Sequence, residues 1–180
     1  MKILGIDPSS TSTGYGLVDY TGQQCALVRV GCIRPPAKAN FEDRLVILFD
    51  RLNSIIDEVA PAEVAMESSF YGKDPDAAGK LGQAQGVLSL AVRKAGHGIQ
   101  GYTPAEVKKA VVGNGQATKE QVQYMVAKLL RLSEVPSPLD ASDALAVALC
   151  HCHRRGSLVN LPGSQRKPEI DTLLNRVSMR

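Results

Sequence analysis

Segments with strand and helix patterns alternate along this chain in an order that few folds can accommodate. Three β-type segments come first, at residues 2–7, 13–20 and 23–34, and a Thr-Gly pair between the last two favours a tight hairpin. The later strands, at residues 63–66 and 99–102, each follow a helical segment, so helix-linked strands must run parallel if they share a sheet. The order β-β-β-α-β-α-β-α-α-α predicts an α/β fold with a five-stranded mixed sheet and helices on both faces.

The helices are marked by apolar spacing and by start signals. Residues 41–60 and 75–95 carry apolar side chains at the three- and four-residue spacing of amphipathic helices. Capping boxes at residues 103–106 and 118–121 predict that a further helix begins at each of them. A last helix is expected over residues 137–153, with one apolar stripe packed on the sheet.

Length and charge indicate one domain followed by a tail. A chain of 180 residues with 44% hydrophobic and 22% charged side chains is typical of a single globular domain. Residues 154–180 carry six basic and two acidic side chains, and their apolar periodicity is lost. We expect a domain over residues 1–155 and a flexible basic tail over residues 156–180. The tail is compatible with a polyanionic partner and equally with a solvated terminus.

Nothing in the sequence indicates a membrane or a secreted protein. The longest apolar run, residues 144–150, is far shorter than the ~20 residues that cross a bilayer. Asp7 interrupts the N-terminal apolar segment too early for a signal peptide. Four cysteines are too few for a disulfide scaffold in a chain of this length. We therefore expect a reduced, cytoplasmic protein without membrane contact.

Four acidic residues fall where a sheet of this kind gathers its ligands. Asp7 closes the first strand and Glu67 closes the fourth, and ligands bind outside the carboxyl ends of parallel strands. Asp140 and Asp143 are three residues apart, on one face of the last helix. The four carboxylates meet if that helix docks beside the first and fourth strands. Each acid alone also has a structural explanation, as a cap of its own loop or helix, so only the joint placement indicates function.

Such a cluster predicts a metal centre. Like charges oppose one another's ionisation, and a hard divalent cation relieves that opposition. Oxygen ligands favour Mg²⁺, with Mn²⁺ as a substitute, over zinc. Two ions per active site, about 4 Å apart, would activate a water and stabilise the departing oxygen in phosphodiester hydrolysis.

A set of motifs, met in order from residue 3 to about residue 153, carries a resemblance. The motifs are Gly5-Ile6-Asp7-Pro8 with Thr13-Gly14-Tyr15-Gly16, then Glu67, Lys80 to Val87, Val111 to Gly115, and Asp140 to Ala146. Together they resemble the RuvC family of Holliday-junction resolvases. The resemblance implies an RNase H-like fold and a homodimer that cuts four-way DNA junctions by paired symmetrical incision in recombination and repair. It also implies the RuvA–RuvB branch-migration complex as a partner, and assigns the catalytic and metal-binding roles to Asp7, Glu67, Asp140 and Asp143.

One position departs from the family pattern. Ser9 stands where the family usually has a glycine directly after the Asp-Pro pair. If that position needs a positive φ or a close backbone approach, Ser9 must be strained.

Five further residues are candidates for DNA contact: Phe70, Tyr71, Lys73, Lys108 and Lys119. An aromatic ring in the loop after Glu67 could stack on a junction base that has lost its neighbour, and family resemblance favours Phe70 for this role. Lys108 and Lys119 align with basic positions of the family and could hold phosphates. The alternatives are that Phe70 packs beneath its loop and that the lysines are simply solvated.

Other interpretations of the sequence carry different tests. The phosphate loop of actin-like sugar kinases has a similar motif, but those enzymes need two such domains to enclose a nucleotide. A non-catalytic junction-binding module would bind DNA without metal-dependent cutting. A zinc site at Cys150-His151-Cys152-His153 is disfavoured, because helical neighbours one or two residues apart point in different directions. Gly79, Gly82 and Gly86 form a small-residue stripe that favours close approach of a helix, a partner subunit or DNA.

Overall fold

Five strands form one mixed sheet in the computed structural model, which describes residues 1–22, 24–68 and 74–155. They are β1 (Lys2–Asp7), β2 (Thr13–Tyr20), β3 (Cys25–Ile33), β4 (Glu63–Glu67) and β5 (Ile99–Tyr102). The spatial order is β3-β2-β1-β4-β5. β1 and β3 pair antiparallel with β2, whereas β4 pairs parallel with both β1 and β5. The predicted mixed sheet is confirmed, and its central strand β1 is the point at which the chain order changes side.

Five helices cover the sheet, and their starts follow the capping signals. They are α1 (Phe41–Val59), α2 (Pro75–Lys94), α3 (Pro104–Val112), α4 (Lys119–Leu129) and α5 (Leu139–Arg154). Both predicted capping boxes form: the side chains of Thr103 and Thr118 accept hydrogen bonds from the backbone N–H groups of Glu106 and Gln121. α5 begins after Pro138 with no side-chain cap. Helix starts were thus predictable wherever a side chain supplies the missing hydrogen bond.

Successive side chains of β1 point to opposite faces of the sheet, so the strand contributes to a core cluster on each face. Leu4 and Ile6 pack in the cluster with α1 and α2, whereas Ile3 packs in the cluster with α3, α4 and α5. Both clusters contain fully buried side chains, so each face of the sheet is covered. Helices on both faces, as predicted, make β1 and β4 buried central strands whose ends alone reach solvent.

α5 is more enclosed than an amphipathic helix. The sequence predicts one apolar stripe against the sheet, but every residue of α5 from Ala141 to Cys152 is buried except Asp143. The reason is that α3 and α4 pack on α5 in addition to the sheet. Polar Asp143 is therefore one of few places where this helix meets solvent.

Two glycines let α5 lie directly on the strands. A Cβ atom at Gly14 of β2 would stand 1.9 Å from the carbonyl oxygen of Asp140, and one at Gly5 of β1 would stand 2.2 Å from that of Ala144. Real Cβ atoms do not approach backbone atoms so closely, so any larger residue at either position would push the helix away. The helix backbone thus packs directly against the strand positions that Gly5 and Gly14 occupy.

Several sequence predictions fall outside the described residues, namely the tail over residues 156–180 and the loop residues Phe70, Tyr71 and Lys73. All four cysteines are free thiols. In the part of the chain that the structure describes, no helix has the length and apolar character needed to cross a membrane.

Candidate active site

The strand period places two carboxylates on the face that α5 covers. Asp7 is two residues beyond Gly5 on β1, and Glu67 is two residues beyond Ala65 on β4, so each shares a face with a residue packed beneath α5. Ile6 and Met66 are paired in the parallel register of β1 and β4. Asp7 and Glu67 therefore end neighbouring strands at one edge of the sheet.

α5 brings the other two carboxylates to the same edge. Gly14, the register partner of Asp7, lies under the backbone of Asp140, whereas Gly5 lies under Ala144 and Ala148. The helix therefore runs antiparallel to β1, with its N-terminal turn above the carboxyl end of that strand. Asp140 and Asp143 stand on this turn, as the sequence predicts.

A cleft of about 180 Å³ opens at this edge. Its charged lining consists of Asp7, Glu67, Asp143, Lys108 and Lys119. Asp140 does not line the cleft, although its negative charge still acts on Asp7. The structure thus brings together three of the four predicted acids and two of the three predicted lysines, with the fourth acid outside the cleft lining.

The electrostatics of the cleft centre on Asp7. The pKa of Asp7 is raised to about 8, chiefly by burial and then by the negative charges of Glu67, Asp143 and Asp140 in that order. Lys119 acts in the opposite direction, because its ammonium lowers the pKa of Asp7. A carboxyl group with this pKa at the end of a central strand is costly for folding alone, and such groups concentrate at functional sites.

Lys119 supplies positive charge to the site. Its Nζ donates a hydrogen bond to Asp143 Oδ2 at 3.2 Å. The negative charge of Asp143, with this hydrogen bond, raises the pKa of Lys119 above its ordinary value. The lysine therefore stays an ammonium ion at neutral pH and partly offsets the carboxylates.

The donor set fits a hard divalent cation. Its ligand atoms are carboxylate oxygens, which Mg²⁺ and Mn²⁺ prefer, and the raised pKa of Asp7 marks a deficit of positive charge. Within the described ranges, no three acidic, cysteine or histidine side chains are close enough as they stand to hold one ion together. Metal binding would thus require the side chains to draw closer, which the excess of negative charge opposes until the cation is present.

Ser9 is accommodated without the strain that a glycine requirement would imply. Of the described non-glycine residues, only Ala60 and Arg131 have a positive φ. The Ser9 Oγ accepts hydrogen bonds from the backbone N–H groups of Thr11 and Ser12, and its own N–H donates to Thr13 Oγ1. The serine therefore organises the loop between β1 and β2, beside Asp7.

The side chains of Cys150, His151 and Cys152, in the Cys-His-Cys-His run at the end of α5, contact different partners. Cys150 Sγ contacts the Glu106 carbonyl oxygen, His151 contacts Tyr102 and Glu63, and the Cys152 thiol contacts that of Cys25. These partners lie in different directions, as the helical spacing predicts. Sequence reasoning did not find the buried partners of His151, although one signal was available: Glu63 shares a face of β4 with Glu67.

The fold and the position of the acids define the structural class of this protein. A five-stranded mixed sheet of this order, covered on both faces and carrying carboxylates at the ends of its central strands, is the RNase H-like fold. The family model described as crossover junction endodeoxyribonuclease RuvC matches residues 3–151. The chain therefore belongs to the RuvC family of crossover junction endodeoxyribonucleases.

Individual relatives agree over most of the chain. RuvC of Pelotomaculum thermopropionicum is 47% identical over 153 residues, which cover 85% of this chain and 93% of that protein. RuvC of Pseudomonas putida strain W619 is 48% identical over 157 residues, covering 87% of this chain and 89% of its own. Among solved structures, Thermus thermophilus RuvC in complex with a Holliday junction substrate superposes with a TM-score of 0.80 at 33% identity, covering 87% of this chain and 97% of that one. Because the chain belongs to the RuvC family, the alternative of an actin-like sugar kinase is excluded.

Proposed function

We propose that this protein is a structure-selective endonuclease that resolves four-way DNA junctions by paired, symmetrical phosphodiester hydrolysis in recombination and repair. The observation that carries the proposal is Asp7, whose pKa is raised to about 8 by burial and by three other carboxylates at the carboxyl edge of the central strands. The relatives support the substrate, because they are named as crossover junction endodeoxyribonucleases and one is solved with a Holliday junction.

Asp7, Glu67, Asp140 and Asp143 are the proposed metal ligands. We propose Mg²⁺, with Mn²⁺ as a substitute, and two ions per active site. When bound, such ions would lower the pKa of an attacking water and stabilise the departing 3′-oxygen, leaving 5′-phosphate and 3′-hydroxyl ends. Asp7 is the ligand most dependent on the cation, because its carboxyl group is held protonated up to about pH 8 when no cation opposes its neighbours.

Lys108 and Lys119 are proposed to bind the phosphate backbone at the scissile site. Both line the same cleft as Asp7, and an ammonium group there attracts a phosphate oxygen. The Lys119 side chain is 61% exposed although its Nζ reaches Asp143, so it is free to turn toward a substrate. When bound cations neutralise the carboxylates, the Lys119 ammonium would leave Asp143 and bind a phosphate oxygen of the substrate.

Phe70, Tyr71 and Lys73 complete the proposed DNA contacts. They lie three to six residues after Glu67 in the chain, and Glu67 lines the cleft at the end of β4. An aromatic ring there would stack on an unstacked base at the junction centre, which is worth ~1–3 kcal/mol per base.

The protein is also proposed to act as a homodimer, in the cytoplasm, and with a RuvA–RuvB complex. The homodimer is supported by α2: Cβ atoms added at Gly79, Gly82 and Gly86 would meet no atom within 4 Å, and Leu90 on the same stripe is 59% exposed. Glycine inside a helix costs ~1 kcal/mol relative to alanine, so three exposed glycines suggest close approach of another molecule. The cytoplasmic location and the RuvA–RuvB partner follow from family membership alone.

Asp7→Asn tests the proposed chemistry. The amide keeps the shape of the side chain but removes the charge that a cation needs, so cleavage of a synthetic four-way junction should fall at least ~10²-fold. Binding of that junction in a gel-shift assay should stay near wild type, because phosphate contacts dominate affinity. Linear duplex and reactions without Mg²⁺ are the matched controls. Full nicking by the variant would refute the metal-ligand role, and a wild-type protein that binds junctions without cutting them would indicate a non-catalytic module.

A further inference from the structure

A buried chain of hydrogen bonds lies at the end of α5 remote from the acidic cleft. His151 is 8% exposed; its Nδ1 is 2.7 Å from the Tyr102 hydroxyl and its Nε2 is 2.6 Å from Glu63 Oε2. An ionised carboxylate only accepts hydrogen bonds, so the Nε2–H donates to Glu63, and Nδ1 shares a second hydrogen bond with the Tyr102 hydroxyl. We call Glu63, Tyr102 and His151 the polar clamp.

Two arginines extend the polar clamp to neighbouring elements. Arg155 forms an ion pair with the second carboxylate oxygen of Glu63. Arg154 pairs with Glu106 of α3, and its guanidinium lies over the Tyr102 ring at 5.6 Å from the centroid. The last turn of α5 is therefore tied to β4, β5 and α3 together.

The polar clamp and the acidic cleft are opposite ends of one contact between α5 and β4. Glu63 and Glu67 lie on the same face of β4, four residues or about 13 Å apart along the strand. His151 and Asp143 are eight residues or about 12 Å apart along α5. The two spacings match, so seating His151 on Glu63 brings Asp143 opposite Glu67.

The two ends of this contact have opposite electrostatic character. At the far end, a carboxylate meets an imidazole N–H and a guanidinium, which attract it. At the cleft, Asp143 and Glu67 both carry negative charge and both oppose the ionisation of Asp7. At the cleft only Lys119, on Asp143, offsets this repulsion in part, whereas the attractive contacts at the far end hold the helix in register along the strand.

From this geometry we infer that His151 is a positioning residue: through Glu63 and Tyr102 it holds α5 so that Asp143 stays opposite Glu67 while the site awaits its cation. The inference rests on the proposed function, since it assumes that these carboxylates bind a divalent cation. Its consequence is that loss of the polar clamp weakens metal binding more than it weakens the fold or the affinity for DNA.

The test is Mn²⁺ binding to the DNA-free full chain, measured by isothermal titration calorimetry. His151→Leu fills the space but makes no hydrogen bond, and should weaken Mn²⁺ binding about five- to tenfold. His151→Gln keeps an N–H group that can reach Glu63, and should restore most of the affinity. Tyr102→Phe removes a single hydroxyl and leaves the core filled, and should shift the affinity in the same direction by about two- to threefold.

Three comparisons make the result decisive. Glu58→Gln breaks the Arg29–Glu58 ion pair, which lies outside the polar clamp, and should leave Mn²⁺ affinity unchanged. Thermal unfolding without metal and junction binding in EDTA report the fold and the DNA contacts of each variant. Lower melting temperatures for His151→Leu and Tyr102→Phe with wild-type Mn²⁺ affinity would overturn the inference. Failure of the wild type itself to bind Mn²⁺ would instead overturn the proposed metal site, and the inference with it.

Discussion

At the scale of single residues, Asp7 is the group that shows what the site needs. Its carboxyl group ends a buried strand among three other carboxylates, and both burial and their charges disfavour its ionised form. An isolated fold would gain stability by replacing it, because burying a charge without a partner is costly. Retaining an acid here is consistent with a function that supplies a cation.

The raised pKa of Asp7 predicts a pH-dependent stability in the absence of metal. The folded state binds this proton more tightly than the unfolded chain does, so stability from this group is present below about pH 4 and is lost as pH rises toward 8. Asp7→Asn cannot ionise, and should equal the wild type near pH 4 but exceed its free energy of unfolding at pH 8–9 by about 1–3 kcal/mol. Urea unfolding in EDTA across this pH range measures the difference. A constant difference at all pH values would contradict the assigned pKa.

Phe70→Ala tests the proposed stacking residue. Loss of the ring should lower the rate of junction cleavage about tenfold or more, while binding to the junction falls by no more than about threefold, because phosphate contacts remain. Single-turnover cleavage and gel shift on the same junction separate the two effects. Tyr71→Ala is the neighbouring aromatic control, and an unchanged cleavage rate in Phe70→Ala would remove stacking from the mechanism.

At the scale of elements, α5 decides whether there is a site. It carries two of the four acids, and its close approach to the sheet depends on the glycines beneath it. Because α5 is buried on nearly every side, its apolar residues are spread around the helix, whereas those of α1 are concentrated on one face. Small residues recur in α5 where its backbone contacts the strands.

Gly14→Ala tests the seating of α5. The added methyl group would meet the Asp140 carbonyl oxygen, so the first turn of the helix must move outward. We expect the free energy of unfolding to fall by about 1–3 kcal/mol or more, and metal-dependent cleavage to fall at least tenfold. Gly98→Ala is the control, because its nearest new neighbour is the Arg93 guanidinium at 4.0 Å. Wild-type cleavage by Gly14→Ala would show that α5 need not lie so close to the strands.

At the scale of the whole molecule, the helices on the two faces of the sheet form different surfaces. α3, α4 and α5 enclose the acidic cleft, whereas α2 on the other face presents the exposed glycine stripe and Leu90. A four-way junction has two-fold symmetry, so two copies of this chain would place one acidic cleft at each of two related strands.

Gly82→Arg tests the proposed dimer surface. Within one subunit the new side chain has open space, and arginine favours a helix over glycine by about 1 kcal/mol, so the subunit should fold normally. Sedimentation should nevertheless show a shift from dimer to monomer, with loss of paired incision. Ser54→Arg, an exposed substitution on α1, is the control for added charge. A dimeric Gly82→Arg protein would place the subunit contact elsewhere.

Local signals in the sequence were enough to predict the order of strands and helices, the capped helix starts, and Asp7 and Glu67 at strand ends. They are local because strand alternation and capping involve residues only a few positions apart. The seating of α5 over Gly5 and Gly14, the raised pKa of Asp7 and the hydrogen bond between His151 and Glu63 were decided by tertiary structure alone. Each of these depends on burial and on contacts between residues far apart in the chain, which no short pattern of residue types encodes.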